Sequence, residues 1–281
     1  MSDKSIYDND SRRDYYLPPR EAPAPSFRYA VREYAAELIG TLVLVLVGSG
    51  TTAQVTFNEK AVGSSYLSIN MGWAMGLSLG IMIAGPISGA HLNPAVTLTS
   101  AMFNKFKWKK VPGFIIAQVF GAFLGAALVY AIYWPALQAF DSGIRETVGD
   151  KATANIFATY PFPGTPIYSA FFTEVIDTAL LLIGVCAITN PKHQIPTWGV
   201  ALSAGLLLNA IGMSVGLMTG YAMNPARDFG PRVFTAISGW GTAPFTASGN
   251  YFWVPMIAPF IGALVGMSIH DFLIDPQPSY F

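Results

Sequence analysis

The sequence predicts an all-α polytopic membrane protein, with six transmembrane helices and two re-entrant half-helices arranged as an inverted repeat. Three observations predict it. Only 11% of the 281 residues are charged and 52% are hydrophobic, whereas a soluble domain carries about 25% charged residues. Six apolar runs each approach the ~20 residues that cross a ~30 Å hydrocarbon core as helix. The tripeptide Asn-Pro-Ala interrupts apolar sequence twice, at 93–95 and at 224–226.

In chain order, residues 1–32 combine aspartates and arginines with Pro18, Pro19, Pro23 and Pro25. They are too polar to bury a core and wrong for a signal sequence, so a disordered cytoplasmic tail is expected. Tyr7, Tyr15 and Tyr16 there are candidates for modification or for plugging a mouth, and Asn9-x-Ser11 matches a glycosylation acceptor that is expected to go unused on the cytoplasmic side. Spans over Tyr34–Val55, Tyr66–Ile87 and Val111–Trp134 make a first half (33–134). A linker (135–166) leads to spans Ile167–Ile188, Trp198–Met218 and Phe252–Ile269 in a second half (167–274), both halves forming one domain. Residues 275–281 form a short second tail. Lipid offers no partner to backbone polar groups, which forces each span to be helical. The single cysteine, Cys186, lies inside the fourth span, which excludes an internal disulfide and suggests small apolar filler.

Basic residues set orientation. The two tails and the 104–110 and 189–196 links hold eleven, including Lys105, Lys107, Lys109, Lys110 and Lys192. The opposite side has Lys60, Arg145, Lys151, Arg227 and Arg232. Both termini are therefore expected in the cytoplasm, with the plasma membrane as the location. The formal charge is zero; no nucleic acid partner and no cofactor are expected.

The halves repeat each other. Glu37-x-Ile-x-Thr41 matches Glu174-x-Ile-x-Thr178, Ser88–Ala95 (SGAHLNPA) matches Thr219–Ala226 (TGYAMNPA), and Phe123–Leu128 resembles Phe260–Val265. Three spans per half, an odd number, insert the second copy upside down, and a site is expected at the interface near the midplane. Glycines spaced by four, at Gly72, Gly76 and Gly80, at Gly121 and Gly125, at Gly212, Gly216 and Gly220, and at Gly262 and Gly266, allow helices to approach closely.

Asparagine is a strong N-cap and proline suits the first helical position. Asn93-Pro94-Ala95 and Asn224-Pro225-Ala226 each read as the start of a helix. From Pro94 the apolar stretch ends at Phe103, and ten residues at ~1.5 Å rise cover ~15 Å, half the hydrocarbon thickness. Two half-helices thus meet tip to tip, each N-terminus carrying about half a positive charge. The stretches before them, Gly89, Ala90, His91 and Leu92, and Gly220, Tyr221, Ala222 and Met223, read as extended. Such backbone is tolerated at this depth when buried in protein or lining a watery cavity. Their carbonyls and the two asparagine amides suggest a path for hydrogen-bonding solutes. Glu37 and Glu174 fit as buried acceptors supporting these segments, His91 as a residue orienting its loop, and Asp228 as a loop anchor in the first turn of a helix. Asp177 takes the place of Gly40 in the repeat and receives no role.

On these residues the chain, from about Tyr34 to Phe272, resembles the major intrinsic proteins, the aquaporins, with their right-handed bundle of six spans and two half-helices. Asp228 directly after Arg227, the stretch Ile156–Pro163 (IFATYPFP) and Gly239-Trp240-Gly241 are similar to the glycerol-passing branch. The resemblance implies a selectivity filter at Trp73, Gly212, Tyr221 and Arg227, glycerol and water as permeants, and a homotetramer in the bilayer. Water-selective relatives carry histidine where this chain has Gly212, and glycerol facilitators often carry phenylalanine where it has Tyr221. Arg227 offers a planar donor fork to two hydroxyls at once, while Trp73 and Tyr221 offer apolar faces for a carbon chain.

Passive conduction of small uncharged solutes is therefore expected, with urea and other small polyols as further candidates. A mainly water-conducting channel, an ion-coupled transporter and a non-conducting scaffold stay open at this point. An enzyme is disfavoured, since no nucleophile–base pair or metal-ligand cluster is visible in the sequence.

Overall fold

The computed structural model describes residues 27–58 and 65–276. Tyr7, Tyr15, Tyr16, Asn9, Lys60 and residues 277–281 lie outside them, and with them most of what the sequence suggests for the tails. All regular structure among the described residues is helical. The membrane helices are α1 (Phe27–Phe57), α2 (Tyr66–Ser88), α4 (Val111–Asp141), α5 (Ile167–Ile188), α6 (Thr197–Val215) and α9 (Val254–Ile269). The half-helices are α3 (Pro94–Met102) and α7 (Pro225–Thr235), and a short α8 (Ala243–Asn250) precedes α9.

Two helices outrun their apolar sequence. α1 begins at Phe27, inside the segment expected as tail. α4 continues through Pro135 to Asp141, into the expected linker. Its end is held by chemistry that hydropathy cannot show. Asp141 Oδ1 accepts from the Gly143 amide at 2.9 Å and pairs with Arg145 at 2.5 Å. The Arg145 guanidinium lies 5.2 Å and 5.3 Å from the ring centroids of Trp134 and Trp240.

Packing follows the inverted repeat. A Cβ added at Gly121 or Gly125 of α4 would meet the carbonyls of Leu38 and Leu42 on α1 at 2.2 Å and 2.7 Å. One added at Gly262 or Gly266 of α9 would meet those of Val175 and Ala179 on α5 at 2.4 Å and 2.3 Å. Leu38 and Leu42 correspond to Val175 and Ala179 through the two glutamates. The structural partner of Gly121 is thus Gly262, one turn away from the register suggested by matching Phe123–Leu128 with Phe260–Val265. A helix presents nearly the same face every four residues, so a one-turn slip preserves the sequence likeness while carbonyl–glycine contact sets the true register. α2 packs on α6, α4 on α7, and α3 contacts α4, α9 and α7. The outer faces stay apolar, as at Ile116 and Phe172, which suits a lipid surround.

Candidate conduction pathway

The half-helices start as their sequence dictates. Asn93 and Asn224 are extended caps, and their Oδ1 atoms accept from the Ala95 amide at 2.8 Å and from the Ala226 and Arg227 amides at 3.0 Å and 3.2 Å. Their amide nitrogens reach across the interface. Asn93 Nδ2 donates to the Met223 carbonyl and Asn224 Nδ2 to the Leu92 carbonyl, each at 2.8 Å. The tips are therefore clasped, and each side-chain amide keeps one hydrogen for another acceptor. The Met223 and Leu92 carbonyls of the expected acceptor ladder thus each hold one partner already and keep one lone pair.

The segments leading into the caps are strained in matching places. Ala90 and Leu92 have φ of 52° and 51°, and Tyr221 and Met223 have 40° and 48°. Left-handed backbone at such residues costs of order 1–3 kcal/mol each and persists only when its surroundings enforce it. The glutamates do so. Glu37 accepts from the His91 amide at 2.9 Å and the Leu92 amide at 2.7 Å, and Glu174 from the Ala222 and Met223 amides, both at 2.8 Å. Both glutamates are fully buried. His91 contacts the Thr97 hydroxyl through Nδ1 at 3.1 Å and packs on Phe106 and Phe114. Asp228 accepts from the Thr159 amide and hydroxyl at 2.8 Å and 2.6 Å and from Arg232 Nε at 2.7 Å.

A cavity of about 460 Å³ passes these tips. Trp73, Tyr221 and Arg227 line one end. Asn93, Asn224, Gly89–Leu92, Ala222 and Met223 line the waist, and Lys105, Asn190 and Asp275 the other mouth. The Arg227 guanidinium carbon lies 3.9 Å from the Trp73 ring centroid. Two expected lining residues do not line it. Gly220 instead donates to the Gly216 carbonyl at 2.8 Å and faces Thr159. Gly212 leaves no open width: a Cβ there would meet Asn70 Oδ1 at 1.9 Å and Tyr221 Cζ at 2.9 Å. Its missing side chain admits the Tyr221 ring and Asn70, and its carbonyl accepts from the Tyr66 hydroxyl at 3.3 Å.

Residues 25–270 match the family model described as Major intrinsic protein. The chain belongs to the major intrinsic protein family. It is 45% identical over 248 residues to Aquaglyceroporin-2 of Rhizophagus irregularis, covering 88% of this chain and 78% of that one. It is 41% identical to human Aquaporin-9, over 88% of this chain and 85% of the relative. The solved structure of the aquaglyceroporin from Plasmodium falciparum superposes with a TM-score of 0.79 at 33% identity, covering 88% and 97% of the two chains. A major intrinsic protein is a passive membrane channel and not an enzyme.

Sequence reasoning missed several residues around this channel. Gly48 makes room for the Trp73 ring, and Thr52 accepts from Trp73 Nε1 at 3.3 Å. Gln118 donates to Glu37 at 2.8 Å and to Thr97 at 2.9 Å. Asn70, one turn before Trp73, was signalled only as a polar residue in an apolar run. Cys186, His270 and Asp271, which no signal in the sequence groups together, also converge, with one ligand atom from each within 4.8 Å of the others. Their sequence separation hides this cluster.

Proposed function

We propose that the protein conducts glycerol first and water second, passively and in both directions, through the cavity between Trp73 and Asp275. One observation carries this reading. At one end of the cavity Arg227 is stacked on the Trp73 ring, with Tyr221 also lining it, and the buried Arg227 Nη1 has no hydrogen-bond partner among the described residues. A donor beside apolar rings suits a molecule with hydroxyls on one edge and CH and CH₂ on the other, admitted as the guanidinium lifts off the Trp73 ring. Farther in, the free asparagine hydrogens and the carbonyls of Gly89, Ala90, His91, Tyr221 and Ala222 replace water step by step. Arg227 and the two half-helix N-termini oppose cations and protons, the general arrangement of aquaporin-type pores. Trp73, Gly212, Tyr221 and Arg227 act as the filter, with Gly212 working through the ring it admits. Glu37, Glu174 and Asp228 hold the lining in place.

The protein is also read as a homotetramer of the plasma membrane with cytoplasmic termini. Arg227 and Arg232 lie within the half-helix α7 and not in a connecting loop, so they drop out of the loop count that opposes that orientation.

Stopped-flow light scattering on proteoliposomes, comparing glycerol, urea and water, tests the reading. Gly212→His pushes Asn70 and the Tyr221 ring from their places and suppresses glycerol flux far more than water flux. Equal loss of both overturns the filter assignment.

A further inference from the structure

Cys186 stands near the end of α5, and His270 and Asp271 in the turn of helix that follows α9. All three line the cavity at the mouth opposite Trp73 and Arg227. Cys186 and His270 are buried, and Asp271 is partly open. We propose that Cys186, His270 and Asp271 bind a borderline-soft divalent cation such as zinc, and that the bound cation restricts flux at this mouth. The restriction rests on the conduction reading above; the binding does not.

The chemistry fits the ion. Thiolate, imidazole and carboxylate are zinc ligands at about 2.0–2.3 Å, which puts tetrahedral donors roughly 3.5 Å apart. Donor atoms already within 4.8 Å of one another need to close by about 1 Å for that geometry. Asp271 Oδ1 lies 3.0 Å from His270 Nδ1 and orients the ring. On binding, Cys186 gives its thiol proton to solvent and the sulfur takes the metal. A fourth position, open to the cavity, takes a water molecule. The competitor is Lys105, whose Nζ lies 2.7 Å from Asp271. Its side chain is 42% exposed, so it can swing into solvent, and its competition makes the site reversible. A hydrated dication here occupies the mouth through which solute must leave.

Cys186 is the chain's single cysteine, so thiol readouts report on this site alone. In detergent, Co²⁺ is expected to give a thiolate-to-cobalt absorption band, and Zn²⁺ to slow maleimide alkylation of Cys186 at least tenfold. His270→Gln removes both effects while keeping the thiol. In proteoliposomes, Zn²⁺ on both sides lowers glycerol flux several-fold, a chelator restores it, and Cys186→Ser is insensitive, each variant being normalised to its own zinc-free flux. No band and no protection in the unaltered chain overturns the site, as does a band that survives His270→Gln. Binding without loss of flux overturns the restriction. A chain that binds cobalt but passes no glycerol without zinc overturns the conduction reading and leaves the site standing.

Discussion

Asn93 and Asn224 cap their half-helices in the same way, yet the next turn of each helix differs in kind. Four residues on, the first half has Thr97, whose hydroxyl donates to the Asn93 carbonyl at 3.0 Å and accepts from Gln118 at 2.9 Å. The second half has Asp228, buried and ion-paired with the equally buried Arg232. Arg232 also donates to the carbonyls of Pro244 at 2.6 Å and Thr159 at 2.5 Å. Val96 lines the cavity where the second half presents Arg227. What the backbone needs is duplicated: the cap, the left-handed kinks, the glutamate. Arg227, the donor of the proposed filter, is present once, and a buried ionic network stands beside it in the same turn. The symmetric pair of half-helices is thus a scaffold, and on the proposed reading the asymmetry of its first turns places the filter on one side.

The largest expected effect tests that division. Asp228→Ala leaves the buried Arg232 charge and the Thr159 amide unpaired, at a cost of about 3–5 kcal/mol. Thr97→Val, its counterpart, removes neutral hydrogen bonds worth about 1 kcal/mol. Thermal unfolding in detergent should show the gap, and equal losses would mean that the ionic network adds nothing a neutral one lacks.

The glutamates separate next. Glu37 receives the Ser88 hydroxyl at 2.6 Å and the Gln118 amide at 2.8 Å besides its two backbone donors. The donors to Glu174 are two amides and Thr219. A glutamine at either place turns an NH₂ toward an N–H, at about 2–3 kcal/mol. Glu37→Gln should lie at the upper end and Glu174→Gln at the lower. The reverse order would show that the side-chain donors at Glu37 do not stabilise it.

Much of this was legible in the sequence, because caps, glutamates and spans are local or periodic signals. Asn-Pro announces a helix start from two residues alone, and its depth follows from hydropathy. The partners of Gly212 were not legible. A missing side chain reads as open width until Asn70 and Tyr221 are seen occupying the space. Arg145 and Arg232 read as loop charges because burial of an arginine depends on partners distant in the chain: Trp240 for one, Thr159 and Pro244 for the other. The slip of one turn between α4 and α9 has the same root. Composition repeats with the helix, and only contact chooses the turn.

Asp177 sharpens the comparison of α1 with α5. Gly40 holds that place in the first half, and a Cβ there would meet Leu92 Cδ2 at 2.6 Å. Asp177 is fully buried, and neither carboxylate oxygen has a hydrogen-bond partner among the described residues. A buried polar group without a partner costs about 1–3 kcal/mol in protein mutational data. Asp177→Leu, close in shape, should therefore raise stability by about that amount and leave passive glycerol flux intact. Loss of flux with the fold retained would give Asp177 a part in transport.

The smallest effect lies at the mouth, where charge pairs sit in water. Lys192 Nζ donates to Asp275 Oδ1 at 2.6 Å and Asn190 Nδ2 to Oδ2 at 2.7 Å. These bonds, the lysine's first, hold the Asp275 carboxyl below the ordinary aspartate value. A depressed value in the folded chain stabilises it above the ordinary value of 3.8, and that stabilisation fades as pH falls through the lower, folded one. The Lys192 side chain is 74% exposed, so water and salt screen the pair. Acid-unfolding curves of the unaltered chain and of Lys192→Ala should differ slightly near neutral pH and converge in strong acid, and added salt should shrink the difference. A gap that widens as the carboxylate is protonated would mean that Lys192 acts through some other contact. Asp228, whose arginine partner is only 1% exposed, is expected to matter far more than this water-screened pair, because burial removes the screening and leaves a lost partner uncompensated.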